Sequence, residues 1–327
     1  MAAKRVYWAI EALAISSGAP DGAAKGGGAL AAADFVSGVQ SVGITTTFNL
    51  EQVFQLGQLS LYQDIEEVPD VEVTVERVLD DHALLYSRAM GGTGTISALQ
   101  NNRADVYFSV YSDDKDRAGD GNPDTTVFCS GMYVSSATFT FPTDGNLTES
   151  ITMVGNHAEW GTASGNSSGA PASDMAGNVK RRQHVTNTST IVSNLASDIG
   201  SSAKLTNITV SVDFGREEIN ILGQKLPYHR YVTYPVEVSC EVETLAIGGM
   251  NVDAYPEQQN VAARTISIAA GNHTFNLGAA NKLQTVTWGG GSTGGENATI
   301  TYSYRNFNDL NVSVAAIESK SGLMFAV

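Results

Sequence analysis

The chain has 327 residues, of which 42% are hydrophobic and only 16% charged, with 33 glycines and a formal net charge of −15. This length holds two medium domains or one large β domain with insertions. The negative charge excludes a general affinity for nucleic acid phosphates, and no apolar run approaches the roughly 18 residues of a membrane helix.

In chain order, MAAKRVYWAIEALAISSGA (Met1–Ala19) places Lys4 and Arg5 before an apolar stretch in the manner of a signal peptide. Glu11 interrupts that stretch, and VYWAIEALAI reads equally well as a strand, so no cleaved signal is expected. SGAPDGAAKGGGALAAA (Ser17–Ala33) reads as a linker. VGITTTFNL (Val42–Leu50) then alternates like a half-buried strand. Glu51 to Val68, of mixed polarity and with one glycine, predicts a long loop or an extended hairpin. In PDVEVTVE (Pro69–Glu76) the residues Val71, Val73 and Val75 fall on one face, and Glu72, Thr74 and Glu76 on the other. HALLYSRAM (His82–Met90) predicts a short helix, and DVYFSVYSD (Asp105–Asp113) a strand. GMYVSSATFTF and LTESITMVG flank Pro142-Thr143-Asp144-Gly145, a turn signal.

GTASGNSSGAPASDMAGN (Gly161–Asn178) has almost no apolar bulk and separates the halves of the chain. STIVSNLASDI (Ser189–Ile199) predicts a second short helix. ITVSVDF (Ile208–Phe214), PVEVSCEVE (Pro235–Glu243), ARTISIAAG, KLQTVTWGG and NATITYSYRNF all read as strands.

Two of these segments repeat. FNLEQVFQLGQLSLYQDIEEVPDVEVTVE from Phe48 matches FGREEINILGQKLPYHRYVTYPVEVSCE from Phe214. Glu51/Glu217, Leu56/Leu222, Gly57/Gly223, Gln58/Gln224, Tyr62/Tyr228 and Pro69/Pro235 pair at one offset of 166 positions. Skipping Asp70 then sets Glu76 against Glu241. Chance supplies Val-Glu alternation, but not LGQ, Tyr and Pro at a fixed spacing, and the segment reads as an internal duplication.

Motifs for catalysis and cofactors are thin. MGGTGTIS (Met90–Ser97) lacks the strand and helix of a dinucleotide site, and GGGSTGG (Gly289–Gly295) lacks the lysine of a P-loop and reads as a turn. The histidines His82, His157, His184, His229 and His273 form no metalloprotease motif. Asp81-His82 is open to a triad assembled by folding, against a helix-start Asp and a surface His. The run SDDKDRAGDGNPD (Ser112–Asp124) is the best metal candidate. A calcium loop starting at Asp114 places Asp116 and Gly119 correctly, but puts Thr125 where a carboxylate is required, so a solvated hairpin loop is expected. No catalytic residue, metal or cofactor is assigned. The basic cluster Lys180-Arg181-Arg182 with His184 reads as a solvated loop, or as a contact with an acidic neighbour or nucleic acid. Cys129 and Cys240 are expected as small buried residues, with a pairing within or between subunits as the alternative. Trp8, Trp160 and Trp288 are expected in the core; exposed, they would offer stacking surfaces to carbohydrate. The N-x-[ST] triplets at Asn146, Asn166, Asn187, Asn207, Asn272, Asn297 and Asn311 carry no meaning without secretion.

The segment PDVEVTVERVLDD, with a Gly-containing loop before it and a short helix after it, resembles the core motif of tailed-bacteriophage tail tube proteins. FTFPTDGNLTESITMVG is similar to their closing strands. The likeness covers Val39 to Gly155 and, through the repeat, Leu205 to about Val314. It departs from the family where Arg77-Val78 stands in place of Arg-Gly, and in carrying two copies where most tube proteins have one. It implies a mainly β fold: two tandem antiparallel β-sandwich or barrel domains with one or two short helices. Residues 1–160 would form the first with an N-terminal arm, 161–204 a Gly/Ser-rich linker or insertion with a short helix, and 205–327 the second.

The resemblance further implies self-assembly into stacked rings, trimeric and pseudo-sixfold or else hexameric, forming a conduit for DNA delivery in the virion. The other partners would be sheath, tape measure and baseplate proteins, with DNA in non-specific transit and no membrane. Loops carrying Glu51, Gly57 and Tyr62, and Glu217, Gly223 and Tyr228, would meet the next ring. Glu72, Glu76, Glu237, Glu241 and Glu243 would line the lumen or, alternatively, an outer solvent face. A baseplate hub or tail-tip ring of the same lineage, and a carbohydrate-binding adhesion module, are the competing expectations.

Overall fold

The computed structural model describes residues 12–17, 35–57, 59–111, 125–161, 177–185, 191–192, 204–247, 263–290 and 297–314. The first half of the chain contains strands β1 (Ala12–Ser17), β2 (Val39–Thr47), β3 (Leu50–Phe54), β4 (Leu61–Glu66) and β5 (Asp70–Val78). Two short helices follow, α1 (Leu85–Ala89) and α2 (Ile96–Leu99). Then come β6 (Ala104–Val110), β7 (Thr125–Pro142), β8 (Thr148–Gly155) and β9 (His157–Gly161). The second half contains β10 (Leu205–Asp213), β11 (Arg216–Ile219), β12 (His229–Val232), β13 (Glu237–Leu245) and β14 (Ser267–Ala270). It ends with β15 (His273–Asn276), β16 (Lys282–Gly289), β17 (Thr299–Phe307) and β18 (Asn311–Val314).

Period-two alternation of β-branched residues makes these strands and also sorts their faces. Val71, Val73 and Val75 on β5, and Val238, Cys240 and Val242 on β13, are buried, each fully buried valine contributing roughly 1.5–3 kcal/mol. The main antiparallel sheet runs β2-β5-β8-β7-β10-β13-β17-β16 and carries strands of both halves. Its apolar face is covered in the first half by β1, β6, β9, α1 and the start of β7, and in the second by β14, β15 and β18. The result is a mainly β sandwich.

The 18-residue β7 belongs to both layers: Thr125 to Met132 pairs with β6 and β9, and Tyr133 to Pro142 with β8 and β10. It turns the corner at Gly131, whose φ of 67° favours glycine and whose N–H donates to the Asp105 carboxylate at 3.0 Å.

The halves repeat one strand order and one register. β2-β5-β8-β7 corresponds to β10-β13-β17-β16, and the covering strands β6-β7-β9 to β14-β15-β18. Val39 pairs with Arg77 and Ser41 with Glu76 across a bulge; Leu205 pairs with Thr244 and Asn207 with Glu243 across the same bulge. A second bulge lies between Val134 and Ser136 on β7 and recurs between Leu283 and Thr285 on β16. Bulges are specific backbone features, so their recurrence fixes the alignment. It corrects the alignment read from the sequence. Thr47 pairs with Asp70 and Asp213 with Glu237, so Asp70 has a counterpart and Glu76 matches Glu243. The extra residue lies in the second copy, beside Pro235.

Helix α1 is shorter than the nine residues from His82 to Met90. Its first turn is closed by Glu149, which accepts the N–H groups of Leu85 and Tyr86 at 3.0 and 2.7 Å. Of the helix expected over 189–199, only residues 191 and 192 are described, and Val192 forms a β-bridge with Ile266 instead. Cys129 and Cys240 are free and buried, and burial pushes both thiols up to about 12.

Candidate assembly surfaces

The uncovered face of the main sheet is built of hydroxyls and carboxylates. Pairing across the strands sets Glu76, Ser150, Thr138, Ser211 and Ser239 in one row, which runs on to Arg305 and Lys282. Glu72, Glu76, Glu237, Glu241 and Glu243 all lie on this face, Glu243 half-buried and the others exposed. Asp70 and Asp213 add further charge. Against them the face carries Arg305, which pairs with Glu237 at 3.7 Å, and Lys282. An open groove of about 500 Å³ crosses the junction of the halves here, lined by Ser136, Thr138, Ser211, Asp213, Thr233 and Glu237.

The long loops of the repeat are two hairpin arms, β3-β4 and β11-β12. Their registers also coincide: Leu50 pairs with Glu66 and Val53 with Gln63, as Arg216 pairs with Val232 and Ile219 with His229. Because β2 and β10 are separated by four successive antiparallel pairings, they run in the same direction, and both arms leave the same rim of the sheet. Each arm turns at a glycine, Gly57 (φ 84°) or Gly223 (φ 87°), beside a fully exposed leucine, Leu56 or Leu222. Glu51, Tyr62, Glu217 and Tyr228 are exposed on the arms. So are Phe48, Leu50, Phe54, Leu59, Ile219 and Ile221.

The arms differ at their roots. Arg216 donates through Nε to the Val134 carbonyl at 2.9 Å and through Nη1 to the Gln100 carbonyl at 2.6 Å. Its guanidinium lies over Tyr133 and Phe214. Burial lowers its pKa to about 10 against the opposing pull of nearby tyrosines, so it stays cationic at neutral pH. Arg230 reaches Asp70 and Asn156, both at 3.1 Å, and also Glu218. The contacts to Val134, Gln100, Asp70 and Asn156 tie the second arm to the first half. At the matching places the first arm carries Leu50 and Asp64, both exposed.

Among the described residues the main sheet ends at β2 and β16, each paired on one side only. Trp288 on β16 is 55% exposed and Trp160 on β9 is 63% exposed. This corrects the expectation of buried tryptophans: among the described residues both sit on edge strands. Trp8 lies outside the described residues. Sequence periodicity missed Trp288, Arg216 and Arg230, since it gives a residue's face and not its lateral neighbour.

A buried charged network occupies the joint between the halves. Arg77 faces Glu149 at 3.3 Å and Asp80 at 3.4 Å, all with side chains out of solvent. Burial raises the Glu149 pKa despite Arg77 and the two helix N–H groups. At Asp80 burial acts in the same upward direction, but hydrogen bonds from His82 and Ser37 and the charge of Arg77 prevail and hold it at about 2. From the second half, His273 Nε2 donates to the Asp80 carbonyl at 2.7 Å and Asn272 to that of Asp81 at 3.0 Å. Lys180 pairs with Asp81.

Ser37, His82 and Asp80 stand together here, with Asp80, not Asp81, against the histidine. Ser37 Oγ and Asp80 both meet the same ring nitrogen, Nδ1 of His82, at 2.9 and 3.0 Å. A triad needs the serine and the carboxylate on opposite nitrogens, so this cluster has no relay geometry. The basic run meets acidic neighbours: besides Lys180 with Asp81, Arg182 lies 3.8 Å from Asp144. No cluster of metal-ligating side chains occurs among the described residues; the acidic run 112–124 lies outside them. Nor is any helix among the described residues long and apolar enough to cross a membrane. Comparison with models of known protein families and with curated proteins finds no match.

Proposed function

We propose that this chain is a structural subunit that self-assembles edge to edge into closed rings, and that the rings stack into the tail tube of a bacteriophage virion, a conduit for DNA. The observation that carries this reading is the head-to-tail repeat within one sheet, which among the described residues leaves two unlike edges, β2 and β16, open. An open edge is a template for pairing with another chain. Two unlike edges make a heterologous contact, which either closes into a ring or runs on as a filament. The sixfold arrangement implied by the tube-protein resemblance is reached with three chains of two units each. Because both units share one sheet, three chains are favoured over a hexamer that would leave one unit outside.

The uncovered face supports the conduit. Sequence-independent hold on DNA comes from Lys and Arg on phosphates; this face offers serines, threonines and glutamates, and would line the lumen without gripping the duplex. The exposed leucines and tyrosines of the arms would meet the next ring, with sheath (in a contractile tail), tape measure and baseplate as further partners. A hub or tail-tip ring of the same lineage is the second reading, and it too uses the open edges. The exposed Trp160 and Trp288 give a carbohydrate-binding module its one supporting observation.

Negative-stain electron microscopy of the purified protein tests the proposal. Stacked rings with a central hole are expected; single rings that never stack point to the hub. A monomer at all concentrations that binds a glycan array would replace both.

A further inference from the structure

Resting on the self-assembly reading, we propose that β16 of one copy pairs antiparallel with β2 of a second copy in the register of the internal junction, with Trp288 opposite Ile44. The internal junction is the pairing of β7, the fourth strand of the first unit, with β10, the first strand of the second. There Ser136 meets Asp213, Ala137 Val212, Thr138 Ser211, Phe139 Val210 and Phe141 Ile208. Shared pairings and both bulges fix which residues of β16 and β2 correspond to these. Transferred to the open edges, they become Thr285 with Thr47, Val286 with Thr46, Thr287 with Thr45, Trp288 with Ile44 and Gly290 with Val42.

The side chains fit this pairing. Phe139 is 0% exposed at the internal junction, while Trp288 at the corresponding place is 55% exposed. Val42, Ile44 and Val286 are apolar, half-buried and on the covered face of the sheet. Joined edges complete that apolar layer, and the hydroxyl face continues unbroken through Thr45 and Thr287.

Charge at the arm roots differs between the two joints. Inside the chain the arm supplies a cation, Arg230, to Asp70 on the sheet. At the open edges the arm supplies Asp64, Glu237 stands on the sheet in the place of Asp70, and Arg305, 3.7 Å from Glu237 and over the ring of Phe307, is the cation that answers both carboxylates. Leu50 and Phe307, both exposed, stand where the internal junction has Arg216 and Asn156. The joint between chains therefore has its own recognition code, and the second copy reads it with the correct end of the sheet.

Cysteine crosslinking of the full chain tests the register, because the native thiols are buried. Thr45→Cys with Thr287→Cys sets two sulfurs directly across the proposed pair; Thr45→Cys with Thr285→Cys is the same chain displaced by two residues. Oxidation of assembled material is expected to give covalent oligomers from the first pair and about tenfold fewer from the second, given the narrow Cα separation a disulfide accepts. Rings visible by microscopy with no crosslink from the first pair would overturn the register while leaving ring assembly standing. A protein that stays monomeric would overturn both. As a second readout, Asp64→Arg is expected to abolish assembly and Arg305→Asp, added to it, to restore it; no restoration would overturn the assigned root contact.

Discussion

At the root of the second arm, Arg216 and Arg230 are held by Val134, Gln100, Asp70 and Asn156 of the first half. The same positions on the first arm carry Leu50 and Asp64, exposed, although the two arms share register and turn glycine. The repeat thus shows one backbone arrangement in two settings. Within the chain it is closed by polar contacts and a buried Phe139; at the ends it stands open and displays Trp288 and Leu50. A repeated backbone device with unlike side chains at the same places separates what folds the chain from what would join it to another.

The comparison breaks most visibly at the paired aromatics. Phe139→Ala is expected to cost about 3–5 kcal/mol in chemical denaturation of the isolated chain, and Trp288→Ala to stay within about 0.5 kcal/mol of the parent while assembly is lost. Equal destabilisation by the two would show that Trp288 already belongs to the core. The arm roots come next: Arg230→Ala should destabilise by about 1.5–3 kcal/mol through its charged hydrogen bonds, whereas Asp64→Ala should leave the monomer's melting curve in place. The turn glycines sharpen the comparison by agreeing. With open space around each, Gly57→Ala and Gly223→Ala should both cost only the left-handed backbone strain, about 1 kcal/mol.

The smallest effect is read against pH. His273 sits in the joint among Asp80, Arg77 and Lys180, and burial lowers its pKa below 6.5. The unfolded chain then binds the proton more readily than the folded one. The stability this gives is complete above pH 6.5 and is lost as pH falls through the folded value. The partly buried His229, also lowered, acts with the same sign. Melting curves between pH 8 and 5 should slope downward on acidification, and His273→Gln should flatten part of that slope; an unchanged slope would place its origin elsewhere.

Much of this was legible in the residues. Alternation in PDVEVTVE and PVEVSCEVE gave the buried valines and the acidic face, because burial and period two act on each strand separately. The offset between Gly57 and Gly223 gave the arms, since a left-handed turn keeps its glycine. What lies sideways was not legible. That β7 pairs with β10, that Asp70 corresponds to Glu237, and that Trp288 stands beside an open edge all depend on which strand is the neighbour. A sequence records each strand's own pattern, and Arg230 finding Asp70 across 160 residues leaves no local trace.

Each unit contributes an even number of strands to the main sheet, so the first strand of every unit points the same way and both arms leave one rim. An odd number would send successive arms to opposite rims and make the two ends alike. With an even number, any ring made this way has a front and a back. A stack that added such rings front to back would carry a direction written into strand parity.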